Sequence, residues 1–292
     1  FNHELMRTAQ PGLAGLFETL YTAEERVADL KVGFRGKPPI GAAVMSQLDV
    51  NTLQQSHDQI WDKVFQSILT GVNDGGKSEP VIVHLFGSVF GGTGAAGVPT
   101  LGRLLHDELQ KQAIRSNVKI NATPLLPYFT FPRPSDSISN VFAESQEFSI
   151  NTQAALQFFT EQAQGVFDNV YMIGNQNRTD YPPATGGPEQ HNASHFIELY
   201  AALSIYHGMS HQANGIQVGT ISRNTLNELT WDDLPPGALD KPAVDYLRRA
   251  TIFCFSWFHN FSLEIEDAAQ IGGRRFSKGA PWFKKFFRIG SS

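Results

Sequence analysis

The chain has 292 residues, 41% of them hydrophobic and 17% charged, which specifies a globular protein and excludes an intrinsically disordered one. Its formal net charge of −5 argues against a generic electrostatic affinity for DNA or RNA, so nucleic acid is not the expected partner. No apolar run reaches the ~18 residues of a membrane span, and with Cys254 as the single cysteine there is no intrachain disulfide and no cysteine zinc cluster, which fits a reducing cytoplasm.

Taken in chain order, residues 1–50 mix helix-compatible pieces with a Gly/Pro loop, "GFRGKPPIGA". A helix follows in "DVNTLQQSHDQIWDKVFQSILTGV", where Leu53, Ile60, Val64, Ile68 and Leu69 recur at helical spacing. "NDGGKSEP" breaks it, and "VIVHLF" reads as a strand buried on both faces. Next come the turn "GSVFGGTGAAG" and a helix, "VPTLGRLLHDELQKQA", with Pro99 expected in its first turn. "VKINATPLL" and "FDNVYMIG" read as strands separated by a helix in "AESQEFSINTQAALQFFTEQA". "NASHFIELYAALSIYHGMS" is a long helix with Phe196, Leu199, Leu203 and Tyr206 along one stripe. This alternation predicts an α/β fold with a doubly wound, mostly parallel sheet over residues 1–212, which binds ligands at the carboxyl ends of its strands. Residues 213–292 read as a divergent extension with a strand in "GIQVGTISRNTL" and a long helix in "KPAVDYLRRATIFCFSWFHNFSLEIE". Cys254, in that apolar context, is expected to be a packed thiol.

The glycine turn admits three readings. Gly92, Gly94 and Gly97 satisfy the dinucleotide pattern G-x-G-x-x-G, but the following strand ends at Pro124 and Leu125 with no carboxylate for a ribose, which weighs against an NAD(P) enzyme. Gly87 and Gly92 have P-loop spacing, but Thr93 stands where that loop requires lysine. The third reading is a "GGTG" turn at a helix N-terminus, whose backbone N–H groups and Thr93 hydroxyl surround phosphate oxygens while the helix dipole favours the anion.

On that third reading, "VIVHLFGSVFGGTGAAG" resembles the signature loop of the tubulin and FtsZ superfamily, with Phe90 in place of the first glycine and Ala96 in place of the last. "ATPLLPYFTFPRPSDSISN" and "NTQAAL" resemble the family's next strand, ribose-side loop and helix. "YMIGNQN" and "HNASHFIELYAAL" resemble the segments that read the base. The resemblance implies a GTP- or GDP-binding protein, with Mg2+ as the nucleotide's companion ion. Its phosphates would be held by Gly91, Gly92, Thr93, Gly94 and Ala95, and its base read by Asn175 and Asn192. Arg133 and Asp136 are candidates for a phosphate and a ribose contact, although "PSDS" is equally good turn chemistry. The resemblance also implies assembly, with copies of the chain or with a partner protein. The family's first glycine-rich loop has no counterpart before residue 87, and after Met209 no Asp or Glu occurs before Glu228. The carboxylate that activates water in the family is therefore missing from its place, no catalytic residue can be nominated, and weak or absent hydrolysis is expected. The alternative is a non-catalytic structural or regulatory subunit that keeps the fold.

The remaining constellations are weaker. His191 and His195, and His207 and His211, are spaced to share a helix face, but the two pairs face apart, and no metal site is expected. Ser88 does not meet the G-x-S-x-G spacing of a hydrolase elbow. At the C-terminus, "GGRRFSKGAPWFKKFFRIG" interleaves basic residues with Trp282, Phe283, Phe286 and Phe287. It reads as an amphipathic segment that docks on the body or on a partner, the alternative being nucleic-acid or membrane-surface contact.

Overall fold

The computed structural model describes residues 18–27, 36–46, 60–74, 80–132, 143–182, 195–210, 217–220 and 241–257, with isolated positions at 4, 7, 8, 15, 30, 33, 34 and 48. Arg133, Asp136, His191, Asn192 and His211 lie outside the described residues. The chain divides into two units, Phe1–Ala238 and Leu239–Ser292.

In the first unit the helices are α1 (Ala23–Arg26), α2 (Pro38–Met45), α3 (Ile60–Asp74), α4 (Gly92–Lys111), α5 (Phe148–Ala163) and α6 (Phe196–Ser210). The strands are β1 (Val81–Ser88), β2 (Val118–Leu125), β3 (Phe129–Thr130), β4 (Asn169–Met172), β5 (Thr179–Asp180) and β6 (Gln217–Thr220). Four strands form a parallel sheet in the order β1-β2-β4-β6, and β3 and β5 form a second, two-stranded parallel pair. The protein is thus α/β with a small parallel sheet, and among the described strands the order follows the chain without reversal. β6 falls past residue 212, and its unit runs on to Ala238.

Because successive strand residues point to opposite faces, β2 sorts the helices. Val118, Ile120 and Ala122 join one core with Phe65 and Ile68 of α3, Leu105 and Leu109 of α4, and Phe159 of α5. Thr123 points the other way and bonds Ser204 of α6, so α6 covers the opposite face. β2 is buried along nearly its whole length. β1, expected to be buried on both faces, is half-buried, and its Phe86 is 42% exposed. β1 pairs only with β2 among the described strands and so lacks the second neighbour that encloses β2.

Three helices differ in detail from their sequence readings. In α3 the buried side chains are Phe65 and Ile68, with Trp61, Leu69 and Val72 packed beside them, while Ile60 and Val64 are exposed. In α6 the buried residues include Ile197, Tyr200, Ala201, Leu203, Ser204 and Gly208; of the expected stripe Leu203 is buried and Tyr206 is exposed. α4 begins at Gly92, within the turn itself, so Pro99 lies inside the helix and not in its first turn. Proline has no N–H for the i−4 carbonyl, and Pro99 is fully buried in the core instead.

Between α6 and the sheet lies a buried polar chain. The Ser204 hydroxyl donates to Ala201 O at 2.6 Å and lies 2.7 Å from Thr123 Oγ1, which lies 2.7 Å from His84 Nε2. With the serine proton committed to Ala201, Thr123 must donate to Ser204, and His84 must donate from Nε2 to Thr123. That leaves Nδ1 unprotonated and buried, with no partner among the described residues. Burial lowers the His84 pKa to about 4. At the amino ends of the strands Arg115 binds Val118 O, Val166 O and Asp168, and Asp168 accepts from Ile120 N–H, which ties β2 to β4.

The second unit contributes α7 (Lys241–Ser256). Tyr246, Ile252, Phe253 and Phe255 are exposed on it, and so is Cys254, which therefore is not the packed thiol expected from its apolar neighbours. Among the described residues no helix is long and apolar enough to cross a membrane.

Candidate functional site

The carboxyl ends of β1, β2 and β4 are laced in a row. Val89 N–H donates to Leu125 O at 2.9 Å and Leu126 N–H to Ile173 O at 2.7 Å, while Leu125 and Ile173 form a further bridge. Gly174 permits the close crossing, since a Cβ there would lie 2.6 Å from Leu126 Cβ. The row sets three segments side by side, namely the glycine turn before α4, the 126–128 loop, and residues 173–177 with Asn175.

The turn places Gly91 at the N-cap of α4 in extended backbone, with no side chain capping the helix. The first N–H groups of a helix lack intrahelical acceptors, and the dipole adds positive potential there, so an uncapped start suits an anion. Thr93 is exposed, Gly91 and Gly94 are half-buried, and Gly92 and Ala95 are buried.

Most of these glycines are demanded by packing. A Cβ on Gly94 would lie 2.5 Å from Ser88 O and 2.6 Å from Ser88 N, and one on Gly87 would lie 2.9 Å from Gly94 Cα. One on Gly92 would lie 2.5 Å from Phe34 Cβ and 3.0 Å from Lys37 O. Gly91 and Gly97 are exceptions: a Cβ on Gly97 would meet only Met45 Cε, at 3.6 Å, and one on Gly91, at the helix start, only the Ser88 hydroxyl, at 3.1 Å, which can rotate away. The backbone of the turn requires no glycine at 91, and what its absent side chain leaves is open approach to the helix start.

The two departures from the GGGTG pattern have packing explanations. Phe90 is 3% exposed and packs against Tyr128, Phe129 and Phe148, which pins the turn from within. Ala96 is buried against α2, where a Cβ on Gly41 would lie 3.0 Å from the Ala96 Cβ.

The sequence reading passed over the loop 33–37 as a plain connection. It lies against the turn: besides the approach of Phe34 and Lys37 to Gly92, a Cβ on Gly33 would lie 3.2 Å from Thr93 Oγ1. Gly33 and Gly36 have φ of 89° and 70°, the left-handed region where glycine is favoured. Lys37 Nζ pairs with Glu147 at 2.8 Å and Asn151 Nδ2 donates to Gly36 O, which ties this loop to the start of α5. The two glycines flanking "FR", followed by lysine, were the available signal.

Asn175 is half-buried. Its N–H donates to Pro127 O at 3.4 Å, and its Oδ1 accepts from Asn177 N–H at 3.2 Å, which leaves Nδ2 as the group it can offer a ligand. Beside it Tyr128 donates to Glu198 at 3.1 Å, and burial together with that carboxylate pushes the phenol's pKa up. The structure thus brings Gly91, Gly92, Thr93, Gly94, Ala95 and Asn175 to one sheet edge.

No protein-family model, no curated protein and no solved structure matches the chain. The class that fold and site define is an α/β protein with an uncapped, glycine-lined helix start at the carboxyl edge of a small parallel sheet.

Proposed function

We propose that the chain binds a guanine nucleotide at this edge, in the manner of a tubulin/FtsZ-like domain. The observation that supports it is Gly91, a glycine at the helix start that neither backbone conformation nor packing requires. Backbone N–H groups of residues 91–94 and the Thr93 hydroxyl bind the outer phosphates, and the loop 33–37 forms the second wall. Asn175, with Asn192 from outside the described residues, reads the base. Among the described residues no cluster of three His, Cys, Asp or Glu side chains is placed to hold a metal, so Mg2+ would be held through the nucleotide's own phosphates. With no carboxylate between Met209 and Glu228, hydrolysis is weak or absent. Assembly with copies of the chain or with a partner, in a cytoplasmic setting, belongs to the same reading.

A second reading keeps the fold as a ligand-free scaffold or regulatory subunit. It is favoured by the packing of Gly87, Gly92 and Gly94, whose close contacts account for those glycines without any phosphate.

Labelled GTP, with ATP and NADH as competitors, separates the two. Wild type is expected to bind saturably. Thr93→Ala loses about tenfold in affinity, the value of one hydrogen bond to a charged group. Gly91→Ala weakens binding while its thermal unfolding matches wild type, whereas Gly94→Ala unfolds at lower temperature and is uninformative about the ligand. Absence of binding to the folded wild-type chain establishes the scaffold.

A further inference from the structure

The residue immediately before α6 is His195, and it does what a serine, threonine or aspartate ordinarily does at a helix start. Its Nδ1 accepts from Ile197 N–H at 3.1 Å, and its own N–H donates to the Glu198 carboxylate at 3.3 Å. The imidazole thus caps the N2 amide, and Glu198 at N3 reaches back to the N-cap N–H as it does in a capping box. The substitution is chemically sound: Nδ1 stands as many bonds from Cα as the side-chain oxygen of asparagine, and it accepts a hydrogen bond when unprotonated.

The same geometry fixes the tautomer. Since Nδ1 is an acceptor, the ring proton sits on Nε2, which donates to Thr179 Oγ1 of β5 at 3.0 Å. The ring also lies 4.8 Å from that of Tyr128, whose hydroxyl donates to the second Glu198 oxygen. One imidazole therefore joins the start of α6, the β3–β5 pair and the 126–128 loop.

We propose that His195 is a titratable helix cap, closed when the ring is neutral and opened by its protonation. A second proton can go only to Nδ1, which then presents N–H to N–H at Ile197 and sets a full positive charge at the positive end of the helix dipole. The cap is lost and the first turn of α6 frays at Ile197, while the Nε2–H bond to Thr179 is kept. Among the described residues the groups around the ring are Glu198 on its own helix, Tyr128 from the 126–128 loop, and Thr179 of β5, next to Asp180, which is engaged by Thr130, and to Tyr181 just past the strand. Burial holds the imidazole below its ordinary value and outweighs the pull of Glu198 toward the cation. The cap is therefore complete above the ordinary imidazole range and opens as the pH falls below it. None of this depends on a nucleotide.

The test uses the full chain, labelled with 15N, from pH 8 downward. At pH 8 the His195 ring is expected to carry its proton on Nε2. As the ring titrates, the Ile197 amide loses about fivefold of its hydrogen-exchange protection, corrected for the intrinsic pH dependence, as expected for a lost N-cap. His195→Asn keeps an acceptor at the cap and is expected to remove the pH dependence while retaining protection; His195→Ala is unprotected throughout. A proton on Nδ1 at pH 8, or Ile197 protection unchanged across the ring titration in wild type, overturns the proposal whether or not the variants fold.

Discussion

At His84 one imidazole stores acid sensitivity in the core. The hydroxyl chain through Thr123 and Ser204 requires a proton on Nε2, and burial, with Nδ1 lacking a partner among the described residues, keeps the ring neutral. Burial lowers its pKa to about 4 from 6.5. A base whose pKa is depressed on folding contributes its full stability above its unfolded value and loses it as pH falls through the window down to the folded one. Between pH 6.5 and about 4, at 1.36 kcal/mol per pH unit, the loss approaches ~3 kcal/mol. Urea unfolding at pH 7.5 and 4.5 checks it: His84→Leu is expected to flatten the acid limb, and an unchanged slope would remove His84 from the account. None of this could be read from "VIVHLF", where a lone polar residue in a strand gives no sign of which helix will cover it. The glycine turn was legible because Gly91–Gly94 follow an apolar strand directly. That packing does not require Gly91 was not, because sequence alone cannot tell which glycines are held by Ser88 and Phe34.

The elements were legible wherever periodicity is local, and their faces were not. The helical spacing in α3 admits two stripes that share Ile68 and Leu69; the one through Phe65 and Trp61 faces the sheet, and the one through Ile60 and Val64 faces outward. Phe65→Ala is expected to cost about 3–5 kcal/mol in denaturant unfolding and Val64→Ala about 0.5 kcal/mol or less. Equal costs would mean that α3 is rotated. The start of α4 was misplaced for a similar reason. Three glycines argue against helix by propensity, yet residues 92–97 are helical, with Gly92 packed against Phe34 and Lys37 and Gly94 against Ser88 so closely that a side chain would not fit at either. Likewise α6 turns Ile197, Tyr200, Leu203 and Ser204 inward, so of the apolar stripe Leu203 faces the interior and Tyr206 does not.

At the scale of the molecule, alternating strands and helices were enough to set the class, an α/β protein with a parallel sheet. The strand order was not legible, because pairing depends on contacts between residues far apart in the chain, such as Val81 with Val118. Asn175 and the turn were expected at one edge and are laced there by Val89, Leu125 and Ile173. The proposed nucleotide carries a definite demand with it: it must touch the backbone of the turn. The direct measurement is a GTP titration of the 15N-labelled chain, followed at the backbone amides. Saturable shifts at Gly91, Gly92, Thr93 and Gly94, with a smaller response at the Asn175 side-chain amide, are the expected result. Amides of the turn that stay unmoved while GTP is in large excess would contradict the account and leave the glycines to packing alone.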